Sequence, residues 1–500
     1  MKPVSRRQAL VLALTGTGAV VVGGGGLLLA GGDGTDAEAG AALIEPPALE
    51  GADGLLDVRL EAGPSRTAIG GRTASMWLFN GTLPGPTLRV RPGDSLRINV
   101  ANRLQEPTNL HVHGLHVSPA GHGDNPFVSI PPGGSFDYSH TLPRNHSAGT
   151  FWYHPHHHGR AAAQLAAGLY GAIVVLADVE DVPVTRERVL IVSDVSLGPG
   201  GRLRDPSPAE RMTGREGAIV LVNGQFRPAA SAAAGDRELW RVVNACPARY
   251  LRLRLDGGRM QVLALDGHRL PAPSPADDVL LAPGNRADLL ATVGPGGATL
   301  RTAGHARGTM GAMMGGNDPV GSRPAELFSV GVPGDAAASG LAAPPTVRQR
   351  DLRAQPLARR RRVELSMGMG GMGFGMGGGA DDAHMAFLID GKQFDPGRTD
   401  QTVSVGTVEE WTLVNSSPMD HPLHLHVWPM QVLRDADGDH ADPLWKDVVN
   451  VPANGAVTVL IAFDDFPGRS VFHCHILDHE DLGMMGTVQA VREATGSDGA

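Results

Sequence analysis

The chain reads as an all-β protein built from three related β-sandwich domains, and three observations predict it. Glycine (68) and proline (38) are abundant while aromatics make up only 4% of 500 residues, a composition that cuts a chain into short strands and turns and excludes long helical bundles. A glycine, two apolar residues spaced two apart and an asparagine recur at Gly93, Ile98, Val100, Asn102, at Gly235, Trp240, Val242, Asn244 and at Gly406, Trp411, Leu413, Asn415. Each copy is followed by a second turn-and-strand element: Pro132-Gly133-Gly134 before Phe136 and Tyr138, Pro283-Gly284 before Asp288 and Leu290, and Pro452-Ala453-Asn454-Gly455 before Val457 and Val459. Apolar residues two apart face one side of a strand, and two elements in the same order three times over signal a repeated unit.

The elements follow in order. Residues 1–39 carry Ser5-Arg6-Arg7-Gln8, an apolar glycine-rich stretch and the small-x-small site Ala37-Glu38-Ala39, the pattern of a twin-arginine export signal. If uncleaved, this segment is the one expected membrane contact. The first domain spans 45–180 and closes on the strand-like run Gly171 to Leu176; the second spans 181–335. Residues 336–362, rich in Ala, Pro and Arg and ending in Arg359-Arg360-Arg361-Arg362, read as a solvated linker. The third domain spans 363–495. A net charge of −9 gives no basic surface for nucleic acid, and none is expected as a partner. The protein is expected to be a monomer. Of the two cysteines, Cys246 and Cys474, the second stands in His473-Cys474-His475, where a thiolate has a better use than a disulfide.

Histidine carries the chemistry. Twenty histidines placed at random would give roughly one His-x-His pair, and the sequence holds five. They fall in four clusters, His111-Val112-His113-Gly114, His154-Pro155-His156-His157-His158, His421-Pro422-Leu423-His424-Leu425-His426 and His473-Cys474-His475, all in the first and third domains. Each pair aims two imidazoles at one place from an extended strand. Eight imidazoles and a thiolate exceed one zinc site, whereas imidazole-rich sites suit copper. His421, Cys474, His479 and a nearby methionine, Met484 or Met485, form the His, His, Cys and thioether set of an electron-transfer copper. On extended chain, His473 and His475 face one side and Cys474 the other, so the thiolate serves one site and its neighbours another.

These motifs, in this order and spacing, resemble those of the multicopper oxidases over essentially the whole mature chain. The resemblance implies three cupredoxin-like Greek-key β-sandwich domains and four copper ions. It assigns the type 1 copper to His421, Cys474, His479 and Met484. The type 2 copper takes His111 and His424, and the type 3 pair takes His113, His154, His156, His426, His473 and His475. It implies one-electron oxidation of a reducing substrate and reduction of dioxygen to two waters, with Asp124 and Glu480 as acids for proton supply. His157 and His158 are expected outside the ligand set.

The substrate is read from methionine. Met367, Met369, Met372 and Met376 punctuate a glycine-rich run, with Met310, Met313 and Met314 as a smaller group and Met419 two residues before His421. Thioethers are soft ligands that select cuprous ion. The run resembles the methionine-rich insert of copper-tolerance oxidases, which implies cuprous ion as substrate, with phenols beside it. Alternatives are an organic laccase, a copper-sequestering protein, and a cell-division scaffold on the same fold; a scaffold predicts eroded ligands.

Overall fold

A computed structural model of the protein describes residues 39–177, 182–309, 319–334, 340–369 and 385–492. The expected export signal therefore lies outside the described residues, apart from Ala39. No helix among those described is long and apolar enough to cross a membrane.

The three repeated strands are Ser95–Asn102, Arg237–Asn244 and Thr407–Asn415. Each lies between a parallel neighbour, Leu55–Ile69, Arg186–Val195 or Leu357–Met369, and an antiparallel one, Ser135–Thr141, Arg286–Val293 or Ala456–Phe463. The antiparallel neighbour is the second repeated element. One mixed sheet thus recurs three times, each paired with a five-stranded sheet to give three cupredoxin-like β-sandwiches.

The repeated residues have identical duties. Gly93, Gly235 and Gly406 take φ of +89°, +82° and +86°, a conformation that costs a side chain but not glycine. Asn102, Asn244 and Asn415 are buried at the far end of the strand. Each amide oxygen accepts the backbone N–H two residues on, from Leu104, Cys246 or Ser417, at 2.9, 3.1 and 2.9 Å. Each amide nitrogen donates to two or more backbone carbonyls, such as Arg249 and Leu281 for Asn244 at 2.9 and 3.0 Å. Buried backbone groups need such partners, which is why asparagine stands there each time.

One strand of the second sandwich departs from simple alternation, and one expectation is corrected. Opposite Trp240 and Val242 lie Leu289 and Ala287, so Asp288 and Leu290 face away from the second core. That strand is buried on both sides, one in its own sandwich and one against the first, so alternation does not mark its core face. Asp288 accepts Arg241 at 2.9 Å and bonds Thr150 of the first sandwich. Residues 357–362, expected in the linker, form the first half of the strand Leu357–Met369. Arg361 shares the inward face of the strand with Val363 and Leu365, while Arg360 and Arg362 face outward. Arg361 pairs with Glu409 at 2.5 Å and lies over the Trp411 ring, while Arg360 pairs with Glu410 at 3.0 Å. Cross-strand ion pairs hold Arg360 and Arg361, while the Arg360 and Arg362 side chains stay largely exposed.

The sandwiches dock through a shared apolar cluster. Trp152, Leu165 and Tyr170 of the first pack with Val189, Ile191 and Val243 of the second and with Leu477 of the third. Fully burying side chains of this size contributes about 1.5–3 kcal/mol each. A polar contact fixes the same junction. Both carboxylate oxygens of Asp481, at the end of the short helix Leu477–Asp481, accept the first N–H groups of the helix Ala161–Ala166 at 3.1 and 3.0 Å.

Candidate metal centre

Strand parity sorts the histidines of the third sandwich into two places. His421–Leu425 pairs antiparallel with Gly468–Cys474, with Leu423 opposite Cys474 and His424 opposite His473. Residues opposite one another share a face. His421, Leu423 and Cys474 therefore turn into the third core, and His424, His426 and His473 turn outward toward the first sandwich.

Inside the core, Cys474 Sγ lies 3.5 Å from His421 Nδ1 and 3.8 Å from His479 Nδ1, and the two nitrogens are 3.3 Å apart. The three atoms form a buried group able to hold a metal ion. Each imidazole is tethered by its other nitrogen. His421 Nε2 bonds Ser417 Oγ at 2.8 Å, and His479 Nε2 donates to the Met212 carbonyl of the second sandwich at 3.0 Å. Such tethers fix the tautomer and leave Nδ1 free to ligate. Met484 is buried in the same side-chain cluster as Cys474, whereas Met485 pairs with His473. Burial pushes the Cys474 thiol up, and it holds His421 down at about 3, in the neutral form that binds metal.

Outside the core, histidines of the first and third sandwiches converge. His111–His113 pairs with Gly149–His154, setting His111 opposite His154. His111 Nε2 is 3.3 Å from His424 Nε2; His473 Nε2 is 3.0 Å from His156 Nε2 and 3.2 Å from His426 Nε2. The His475 ring lies 5.0 and 5.6 Å from those of His113 and His154. All eight residues are buried.

Here too one nitrogen is tethered and the other left over. His111 Nδ1 bonds Asp124 at 2.9 Å, His424 Nδ1 donates to the Asp447 carbonyl at 2.8 Å, and His154 Nδ1 donates to the Pro155 carbonyl at 2.9 Å. His113 is held by Nε2, 3.0 Å from Asp447 Oδ1. His113 Nδ1, His154 Nε2 and both nitrogens of His475 are buried with no hydrogen-bond partner. Orphaned nitrogens in a buried cluster are costly unless something binds them, and metal ions fit. Burial, reinforced by neighbouring imidazoles, holds His111, His113, His156, His424, His426 and His475 well below the usual histidine range. The donor chemistry, neutral imidazole with one thiolate and a thioether nearby, suits copper.

The remaining site residues fall as follows. Asp124 is 2% exposed and also accepts the Val112 N–H at 3.1 Å. Glu480 is completely buried, its carboxylate oxygens 3.5 Å from His156 Nε2 and 3.3 Å from His473 Nδ1. Burial, then the charge of Asp481, pushes Glu480 well above the usual carboxylate range. Met419 is completely buried, its backbone bridged to Gly308. Met367 is partly buried against the cluster that holds Cys474. Met369 ends the strand Leu357–Met369; Met372 and Met376, like Met310, Met313 and Met314, lie outside the described residues. His157 is half-buried against Ser129 at 3.0 Å and His158 is exposed. Both cysteines are free. Sequence reasoning missed Asp447 and Arg286, which meet beside His113 at 2.6 and 2.5 Å. The signal available was Arg286 itself, three residues into the second repeated element. A cavity of about 590 Å³ at the junction of the sandwiches reaches Gly114, next to His113.

Comparison with known proteins agrees with this geometry. Two family models, both described as multicopper oxidase, match residues 62–180 and 374–493. A multicopper oxidase from Campylobacter jejuni, described as a metallo-oxidase, superposes with a TM-score of 0.79 at 30% identity, covering 91% of this chain and 96% of that one. A laccase-like multicopper oxidase from Ochrobactrum sp., with oxidase activity towards lignin model compounds and lignosulfonate, superposes at 0.75 with 25% identity, covering 90% and 100%. Cell division protein FtsP of Edwardsiella tarda is 31% identical over 469 residues, 89% of this chain and 92% of that one. With three cupredoxin-like sandwiches, a cysteine–histidine trio in the third and an eight-histidine cluster against the first, the chain belongs to the multicopper oxidase family.

Proposed function

We propose that the protein is an exported oxidase that couples one-electron oxidation of a reducing substrate to reduction of dioxygen to water. Four coppers would be held: a type 1 ion by His421, Cys474, His479 and Met484, a type 2 ion by His111 and His424, and a type 3 pair by His113, His154, His156, His426, His473 and His475. When bound, they supply single-electron acceptance at the cysteine site and four-electron reduction of dioxygen at the cluster. The observation that carries the reading is the convergence of eight buried imidazoles from both ends of the chain, with ring nitrogens left unpartnered.

The protein's own residues do the rest. His473-Cys474-His475 makes a covalent bridge between the two sites, because strand parity sends adjacent side chains to opposite faces. Glu480 keeps a proton in a water-excluded position beside His156 and His473, as a proton donor requires. Asp124 orients His111.

Cuprous ion is the favoured substrate, phenols the second. Support comes from the soft thioethers of Met367, Met369, Met372, Met376 and Met419 and from the metallo-oxidase relative. The laccase-like relative favours the alternative that organic substrates alone are oxidised. Against a scaffold role stands the complete ligand set. The twin-arginine pattern in residues 1–39 supports export to the periplasm or cell envelope, where copper homeostasis would be served.

Oxygen uptake by the copper-loaded protein with Cu(I), Fe(II) and phenols tests the reading. Fast uptake with Cu(I), lowered by joint substitution of Met367, Met369, Met372 and Met376 while a bulky phenol is spared, supports cuprous oxidation. Phenol turnover alone supports the laccase reading, and copper binding with no uptake overturns the oxidase.

A further inference from the structure

The second sandwich supplies no histidine to the cluster, yet one of its side chains reaches it. Arg286 is completely buried. Its Nη1 and Nη2 donate to Asp447 Oδ1 and Oδ2 in the third sandwich at 2.6 and 2.5 Å. Nη1 also donates to the Gly284 carbonyl of its own sandwich at 3.1 Å, and Nε donates to the Thr150 carbonyl of the first at 3.2 Å. One guanidinium therefore joins all three sandwiches.

What Arg286 grips decides the orientation of two imidazoles. Asp447 Oδ1 is 3.0 Å from His113 Nε2, and the Asp447 carbonyl accepts His424 Nδ1 at 2.8 Å. One residue thus tethers a histidine from each half of the cluster. Asp266 braces the arrangement from the second sandwich: Oδ1 accepts the Arg286 N–H at 2.9 Å, and Oδ2 accepts those of Asp447 and Val448 at 3.2 and 3.3 Å. The buried cation is paired with two carboxylates, Asp447 at 2.5 Å and Asp266 at 3.6 Å. The space is closed as well, because a Cβ on Gly114 would lie 2.4 Å from both Arg286 Nη2 and Asp447 Oδ2.

We propose that Arg286 is a positioning residue that, through Asp447, sets His113 and His424 and thereby determines whether the interdomain cluster fills with metal. The inference rests on the reading of that cluster as a copper centre. A planar fork with donors in three directions makes these contacts, and an ammonium cannot reproduce them.

The test compares the full chain with R286M, R286K and R188M by copper content per chain, visible thiolate absorption and the type 2 electron paramagnetic resonance spectrum. Arg188 forms an equally buried pair with Glu238 at 2.7 Å in the same sandwich and serves as the control for losing a buried ion pair. R286M and R286K are expected to keep the thiolate absorption but lose at least about half the cluster copper, with an altered type 2 spectrum in what remains; R188M keeps both. R286K preserves the charge and decides the matter if R286M does not fold. A full copper complement with the unaltered spectrum in R286K overturns the inference, as does an equal loss of cluster copper in R188M. Wild-type protein that loads copper only at Cys474 takes down the cluster reading and the inference together.

Discussion

His473 and Cys474 are adjacent in sequence, yet their side chains end in different metal-binding groups. Cys474 Sγ lies 3.5 Å from His421 Nδ1 inside the third core, while His473 Nε2 lies 3.0 Å from His156 Nε2 of the first sandwich. The pleat of one strand separates them. Cys474→Ser is expected to abolish the visible thiolate absorption and all turnover while the histidine cluster still binds copper. Turnover retained in that variant would sink the assignment.

Glu480→Gln keeps the shape of a completely buried side chain and removes its exchangeable carboxyl proton. Oxygen reduction is expected to slow by roughly 10²-fold, the lower end of a general-acid contribution. Anaerobic reduction of the cysteine site by substrate is expected to stay at its normal rate. Stopped-flow measurement of the two half-reactions separates them, and equal slowing of both counts against a proton-holding role.

Gly284→Ala places a Cβ 2.9–3.0 Å from three atoms of the His475 ring, at a backbone φ of +86°. Neither the ring nor the backbone can yield freely. The variant is expected to lose the near-ultraviolet absorption of the coupled copper pair while retaining the thiolate absorption; an intact spectrum would contradict the packing.

Asn244→Ala leaves the Arg249 and Leu281 carbonyls and the Cys246 N–H without their partner in a buried turn. Each buried group left unsatisfied costs about 1–3 kcal/mol. Calorimetry is expected to show the melting temperature down by several degrees. Asn244→Asp, which keeps the acceptor alone, should fall between the two.

His146 gives the protein acid sensitivity. Its Nε2 accepts the His116 N–H at 3.0 Å and its Nδ1 donates to the Ser147 carbonyl at 2.8 Å, a pattern open only to neutral imidazole. Burial holds it at about 3. The unfolded chain takes up a proton below about pH 6.5 and the folded one does not, so the stability is complete above that pH and is lost as pH falls from about 6.5 toward 3. His146→Gln is expected to melt lower at pH 7.5 but to lose less on acidification to pH 5. An unchanged acid slope would assign the sensitivity elsewhere.

Much of this was legible in the residues. The glycine and asparagine of each repeat announced a turn and a strand end, and Gly93, Gly235 and Gly406 all adopt the conformation that needs glycine. The His-x-His pairs announced shared faces, and Cys474 between two histidines announced a split. Where the reading slipped, local pattern had no access to neighbours. Arg360 and Arg361 gave no local sign of a strand because their cross-strand partners, Glu410 and Glu409, are some 50 positions away. The strand that carries Asp288 and Leu290 is buried on both sides, so spacing along it does not tell which residues face the core.

Sequence by itself determined the repeated sandwich, the ligand chemistry and which histidines share a strand face, since all of these follow from spacing along one chain. Tertiary structure alone decided that the cluster closes across two sandwiches, that one nitrogen of most of its rings is tethered while another is left over, and that Arg286 of the second sandwich, which supplies no histidine to the cluster, grips Asp447 beside His113. These depend on how separately folded sheets dock, and docking is set by complementary burial and hydrogen bonding between residues far apart in the chain.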